Sequence, residues 1–256
     1  MKCKVLLLFI LVLSYHIDVF AFWNSPANIP NDDSLHARQL LVVITEDWDN
    51  YKGTLYAYKK QNQKWILQFS NPVVIGKKGI GMGDGIFPLS IDNAPVKKEG
   101  DLKSPAGIFK IGTAFGYASY EQAKWINNAY IKASDTLICV DDVHSKHYNK
   151  LVKNDTAKKD WNSFEYMHRK DDCYKWGLFI NHNAGKSIEG NGSCIFMHIW
   201  TNNHEGTEGC TAMEETNMLR ILHWINAKLN PTLVQLPKTE YMKLAKKYNL
   251  PEIELF

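Results

Sequence analysis

Two residue types that do covalent chemistry together lie close in the C-terminal third of the chain. One is His198, in Phe196-Met197-His198-Ile199-Trp200; the other is Cys210, in Gly206-Thr207-Glu208-Gly209-Cys210. A cysteine attacks as its thiolate, and forming a thiolate near neutral pH takes an imidazole, a cation or a helix N-terminus beside the sulfur. His198 is the candidate base and Cys210 the candidate nucleophile. Gly209 has no Cβ, so the backbone can turn sharply there and aim amide N–H groups at a developing oxyanion. A structural cysteine packed beside a core histidine would use the same residues, and spacing alone leaves both accounts open.

Other chemistries fit less well. His198, His204 and Cys210 are evenly spaced, but zinc sites favour short H-x₃₋₅-H or C-x₂-C spacings, which are absent. His144 and His147 beside Asp141 and Asp142 read as a polar turn before a metal site. No phosphate-binding glycine loop is present, so neither a metal nor a nucleotide cofactor is expected.

The elements that must position these residues are mostly strands. Apolar, β-branched runs predict strands over 40–45, 54–59, 65–69, 72–75, 107–111, 137–140, 178–180, 194–200 and 233–236. Met218, Leu219, Ile221, Leu222, Trp224 and Ile225 recur at helical spacing after Glu214-Glu215, predicting a helix over 214–228 with Cys210 just ahead of it. A second helix is expected over 239–248. Residues 145–173 mix charges and aromatics without a period and read as a long loop with helical turns, shaping a cleft. The expected fold is mainly β with peripheral helices.

Composition narrows the setting. The 256 residues carry 30 basic and 27 acidic side chains, a formal charge of +3, which offers no footprint for nucleic acid. Lys77-Lys78, Lys97-Lys98 and Lys158-Lys159 read as solvated faces. Met1-Lys2-Cys3-Lys4, an apolar run over 5–15 and then Val19-Phe20-Ala21 have the three parts of a signal peptide cut after Ala21. The run falls short of the ~20 apolar residues of a membrane span and meets His16 and Asp18, so export to the periplasm or cell envelope with no lasting membrane anchor is expected. Four cysteines remain after such a cut. If Cys210 is free, at most one bridge is left, and Cys139 with Cys173 is the expected pair, because Cys194 reads as part of the His198 strand.

Several further motifs follow one another in order over residues 39–237. They are Gly100-Asp101-Leu102-Lys103-Ser104-Pro105-Ala106-Gly107-Ile108-Phe109, Ala114-Phe115-Gly116-Tyr117, Cys139-Val140-Asp141-Asp142, Tyr148-Asn149 and Trp176-Gly177-Leu178. The His198 strand and Thr207-Glu208-Gly209-Cys210 complete the series. Together they resemble the L,D-transpeptidase catalytic domain, the YkuD-like family of bacterial cell-wall enzymes.

The resemblance implies a β-sandwich catalytic domain over 39–237, between a 22–38 extension and a helical 238–256 extension. It also implies Cys210 as nucleophile, His198 as base, and the Gly209 and Cys210 amides at the oxyanion. The implied partners are peptidoglycan stem peptides: the Cys210 thiolate attacks the L-centre carbonyl before D-Ala, and an amine or water resolves the thioester. Amine attack gives a 3→3 cross-link and water gives a tripeptide. Thr207, Glu208, Trp200, Tyr117 and Lys103 are the expected substrate-binding residues. Glu208 stands where most members carry a second histidine, and Thr211-Ala212 where they carry Ile-Arg. A carboxylate close to the sulfur would raise the thiol pKa, which is the case for a catalytically weak binding module.

Overall fold

The computed structural model describes residues 35–253; the signal peptide expected over 1–21 and most of the 22–38 extension lie outside the described residues. The first strand, β1 (Gln39–Thr45), is buried at every position, because its run of Leu, Val and Ile has no polar alternation and packs on both faces. It pairs antiparallel with β2 (Lys52–Gln61) and parallel with β13 (Thr232–Pro237). The predicted strands at 65–69 and 72–75 are one strand, β3 (Lys64–Val74), whose pairing with β2 shifts register at Ala57 and Tyr58.

From β13 the ladder continues to β5 (Ser104–Gly116), whose second half pairs with β10 (Trp176–Ile180). Next comes β11 (Phe196–Ile199), antiparallel to β10, and then β12 (Thr211–Met213), parallel to β11. A single residue pair, Ala212 with Val74, joins β12 to β3 and closes the circuit. The short strands β4 (Ile80–Met82) and β6 (Tyr130–Lys132) run parallel to the two ends of β5. Inside lies a core built on Leu40, Leu41, Leu55, Phe109 and Ile108, where truncating one side chain to Ala costs about 2–5 kcal/mol.

Among the described residues three α-helices lie on the outside: α1 (Tyr120–Ala123), α2 (Glu215–Trp224) and α3 (Lys238–Ala245). The chain is mainly β with few helices, as its sequence predicts. Two details differ. Helix α2 stops at Trp224, where Ile225 turns extended, and Cys210 precedes strand β12 rather than a helix. Helix α3 joins the same core through Tyr241 and Leu244, and the Tyr241 hydroxyl donates to Pro251 O at 2.7 Å.

Residues 145–173 are not a loop with helical turns. They contribute β8 (Lys150–Lys153) and β9 (Phe164–Tyr166), which flank β7 (Leu137–Val140) in a separate antiparallel sheet. Neither flanking strand has an apolar run of its own, so both borrow order from β7, which is buried throughout. The disulfide is also not the expected one: Cys139 is bonded to Cys194, with the two Cα atoms 6.0 Å apart, and Cys173 is free. Cys194 sits just ahead of β11 with a left-handed φ of 54°, which takes it off the strand and onto β7.

Candidate functional site

A cleft of about 610 Å³ opens where β11, β12 and the 206–210 turn meet the small sheet, and Cys210 and His198 both line it. The turn's shape is set by side chains. The Thr207 hydroxyl accepts from Gly209 N at 3.1 Å and donates to Cys210 O at 2.6 Å. Ser104, fully buried, takes a hydrogen bond from Gly76 N at 2.9 Å, and its hydroxyl lies 2.7 Å from Gly209 O and 3.0 Å from Cys210 O. Gly76 is obligatory here, because a Cβ on it would stand 2.4 Å from Leu102 O. Gly209, at φ 150°, takes a conformation that L side chains rarely adopt, and a Cβ would stand 3.2 Å from Lys103 O.

The register between β11 and β12 sets His198 against Ala212 and Met197 against Thr211. The Cys210 sulfur, in the bend just before β12, meets β11 at Phe196 N, two residues ahead of His198, and both side chains line the cleft. His198 Nδ1 lies 2.8 Å from Ile199 O; a carbonyl only accepts, so Nδ1 carries the proton and the Nε2 lone pair is the basic position. Burial pulls the imidazole down to about 4 and pushes the thiol far up, so both rest neutral. Phe196 N donates to the sulfur at 3.3 Å, ready to hold a thiolate, and the sulfur lies 3.7 Å from Cys194 O.

Opposite stands a wall that the sequence did not announce. Glu165 on β9 accepts from the Tyr174 hydroxyl at 2.6 Å, and the Tyr174 ring meets His198 edge-on at 5.1 Å. Burial lifts the Glu165 carboxyl to about 7, and its charge is the next cause, after burial, of the raised Cys210 thiol. Glu208 stands exposed at the mouth. The Arg169 guanidinium lies over the Tyr174 ring at 5.1 Å and grips Asp171, which it holds down to about 2. On the floor is Lys97, only 3% exposed, paired to Asp101 at 2.6 Å; it is no part of a solvated face, because Asp101 and Lys98 O neutralise it in place.

Of the expected residues, the cleft gathers Cys210, His198, Gly209, Thr207, Glu208 and Trp200. Lys103 is not among its lining. It turns the other way, to Lys78 O at 2.7 Å and Asp49 at 3.3 Å, because its neighbour Ser104 points inward. Tyr117 lies behind the wall, where its hydroxyl meets the Arg169 backbone at 3.1 Å. Of the two amides expected at the oxyanion, that of Gly209 is committed to the Thr207 hydroxyl. Asp142 accepts from His144 N and Asn162 N, so the 141–147 stretch is a polar turn. Among the described residues no three His, Cys, Asp or Glu side chains converge as metal ligands.

A closed, mainly β ring carrying a cysteine and a histidine in one cleft defines the class. A sequence profile of the L,D-transpeptidase catalytic domain (YkuD) matches residues 47–234, and the chain belongs to that family. No curated protein sequence matches it. Among solved structures it is similar to Bd1075 of Bdellovibrio bacteriovorus, at 12% identity and a TM-score of 0.41, over 85% of this chain and 56% of that one. It is also similar to the helical cell shape determining protein Pgp2 of Campylobacter jejuni, at 15% identity and a TM-score of 0.40, over 81% and 52%. The chain thus spans little more than half the length of either.

Proposed function

We propose that this protein is exported and performs cysteine-dependent acyl transfer on peptidoglycan stem peptides, cutting the L,D bond before D-Ala. The observation that carries the reading is the meeting of His198 and Cys210 in one cleft, the sulfur held at Phe196 N on the His198 strand and the imidazole Nδ1 occupied by Ile199 O. Because the resting pair is neutral, the Cys210 proton passes to His198 as the sulfur attacks, rather than from a preformed thiolate. Phe196 N steadies the sulfur and Cys210 N meets the oxyanion. His198 then returns the proton to the departing D-Ala amine, leaving a thioester that an amine or water resolves.

The reading is tested by incubating the chain from Phe22 onward, and its Cys210→Ala variant, with disaccharide-tetrapeptides and weighing the products by mass spectrometry. A Cys210-dependent dimer lacking one D-Ala is the expected product; tripeptide alone makes the protein an L,D-carboxypeptidase. The buried, protonated thiol favours a second reading, a catalytically weak peptidoglycan-binding module, which unchanged substrate with measurable binding would support.

A further inference from the structure

An amine and water make different demands on the thioester. Water gives up one proton as it attacks. An alkylamine arrives as an ammonium ion and must lose two: one to expose its lone pair and one as the new amide forms. His198 can relay only one, and its buried ring, held neutral against Ile199 O with Arg169 nearby, is a poor place for a lasting positive charge. A second acceptor facing the sulfur is therefore needed for amine transfer and superfluous for hydrolysis.

Glu165 stands where such an acceptor belongs. It lines the cleft with Cys210 and His198, on the wall opposite the nucleophile. Tyr174 holds one carboxylate oxygen, Oε2, and packs its ring on His198, so the carboxylate and the base are fixed relative to each other. Among the described residues the other oxygen, Oε1, has no protein hydrogen-bond partner. The charged groups that face Glu165 are Asp141 at the end of β7, Arg169 in the following turn and Glu208 at the mouth, with Tyr174 and Cys210 beside them. Asp141 Oδ1 is itself buried without a partner at the same cleft, which adds a second acceptor for a cation.

We propose that Glu165 is the acceptor-side residue of this cleft: it receives the ammonium group of an amine acceptor and takes its first proton. The inference rests on the acyl-transfer reading. In balance, R–NH₃⁺ and the Glu165 carboxylate become R–NH₂ and the carboxylic acid. The amine then attacks the thioester carbonyl, the C–S bond breaks, and the second amine proton passes through His198 to the Cys210 sulfur. The carboxylic acid afterwards loses its proton to solvent. Its pKa near 7 suits a group that must take a proton and release it in the same cycle.

The experiment measures, in one incubation, the ratio of amine-transfer product to tripeptide for the wild type and Glu165→Gln, across pH 5.5 to about 9. The ratio does not depend on how much acyl-enzyme each protein forms. For an alkylamine acceptor, the wild-type ratio is expected to rise as the carboxyl ionises and to level off above neutral pH, whereas Glu165→Gln, left with the free base that solvent supplies, should be lower on the order of a hundredfold near neutral pH and keep rising toward pH ~9. Hydroxylamine, uncharged at neutral pH, needs no first deprotonation, so its transfer relative to hydrolysis should be the same in both proteins. Tyr174→Phe, which frees the carboxylate, should fall between them. An equal ratio in wild type and Glu165→Gln overturns the proposal, as does an equal loss for hydroxylamine and alkylamine, which would mark a structural role. Tripeptide with no amine product from the wild type also overturns it while leaving acyl transfer intact. Absence of any Cys210-bound acyl group overturns the reading beneath it.

Discussion

The wall that carries Cys210 and His198 is part of the closed ring of strands, whereas the facing wall, with Glu165 on β9 and Tyr174 beyond it, is tied to a three-stranded sheet. That sheet is fastened to the ring by the Cys139–Cys194 disulfide and by the Tyr148-Asn149 corner. Tyr148 OH donates to Glu99 at 2.5 Å, and Asn149 reaches His182 O, Asn183 O and Cys194 N at 3.1, 2.8 and 3.0 Å. The Cys210 wall is fixed by the fold itself. The other is fixed by these bonds and by an apolar cluster in which Leu137, Cys139 and Met167 pack with Phe115 and Phe196, so a change in sequence there can re-aim it without breaking the strand pairing of the ring.

The largest expected difference between the walls is chemical. His198→Ala should lower acyl-enzyme formation on the order of 10³-fold by removing the base, as read from the rate of D-Ala release. Replacing Cys139 and Cys194 together with Ala should cost about 2–4 kcal/mol in urea unfolding. Hydrogen exchange should localise that loss to 137–166, leaving β1, β2 and β13 protected; uniform loss would show that the two walls unfold as one.

Acid should strain the Cys210 wall first. His198 and His182 are both pulled down to about 4 by burial, below the ~6.5 of the unfolded chain. The unfolded state therefore binds protons first, and the stability these groups contribute above ~6.5 is lost as pH falls toward 4. Urea midpoints for wild type and His198→Asn across that window should converge as the pH drops. Smaller still, Ser104→Ala removes the hydroxyl that donates toward Gly209 O and accepts from Gly76 N and should cost about 1–3 kcal/mol with slower acylation, while Lys103→Ala, next door but outside the cleft, should leave D-Ala release within about twofold.

The ring was legible because its strands bury aliphatic residues on both faces, as β1 and β13 do, and such runs need no partner to be recognised. The Cys210 turn was legible from residue type. The second wall was not: Lys150–Lys153 and Phe164–Tyr166 become strands only beside β7, and no local pattern records that pairing. Lys97 was misread for the same reason, since a lysine's burial depends on an aspartate placed to meet it. The wrong disulfide came from one dihedral, the left-handed turn at Cys194, which residue type does not reveal. Ser104 stood in a quoted motif, yet its task, holding the carbonyls of Gly209 and Cys210, is visible only once residues 105 apart in sequence meet.

The Cys139–Cys194 bridge also imposes an order of assembly. Its two ends lie 55 residues apart, and Cys210 and the free Cys173 share the same apolar cluster. A chain folding under oxidising conditions thus chooses among four neighbouring sulfurs, and a bridge that captured Cys210 would leave no free thiol in the cleft. On the proposed function, a preparation bridged at the wrong pair could hold the native ring of strands, pass every bulk test of folding, and still contain a fraction with no free Cys210 thiol.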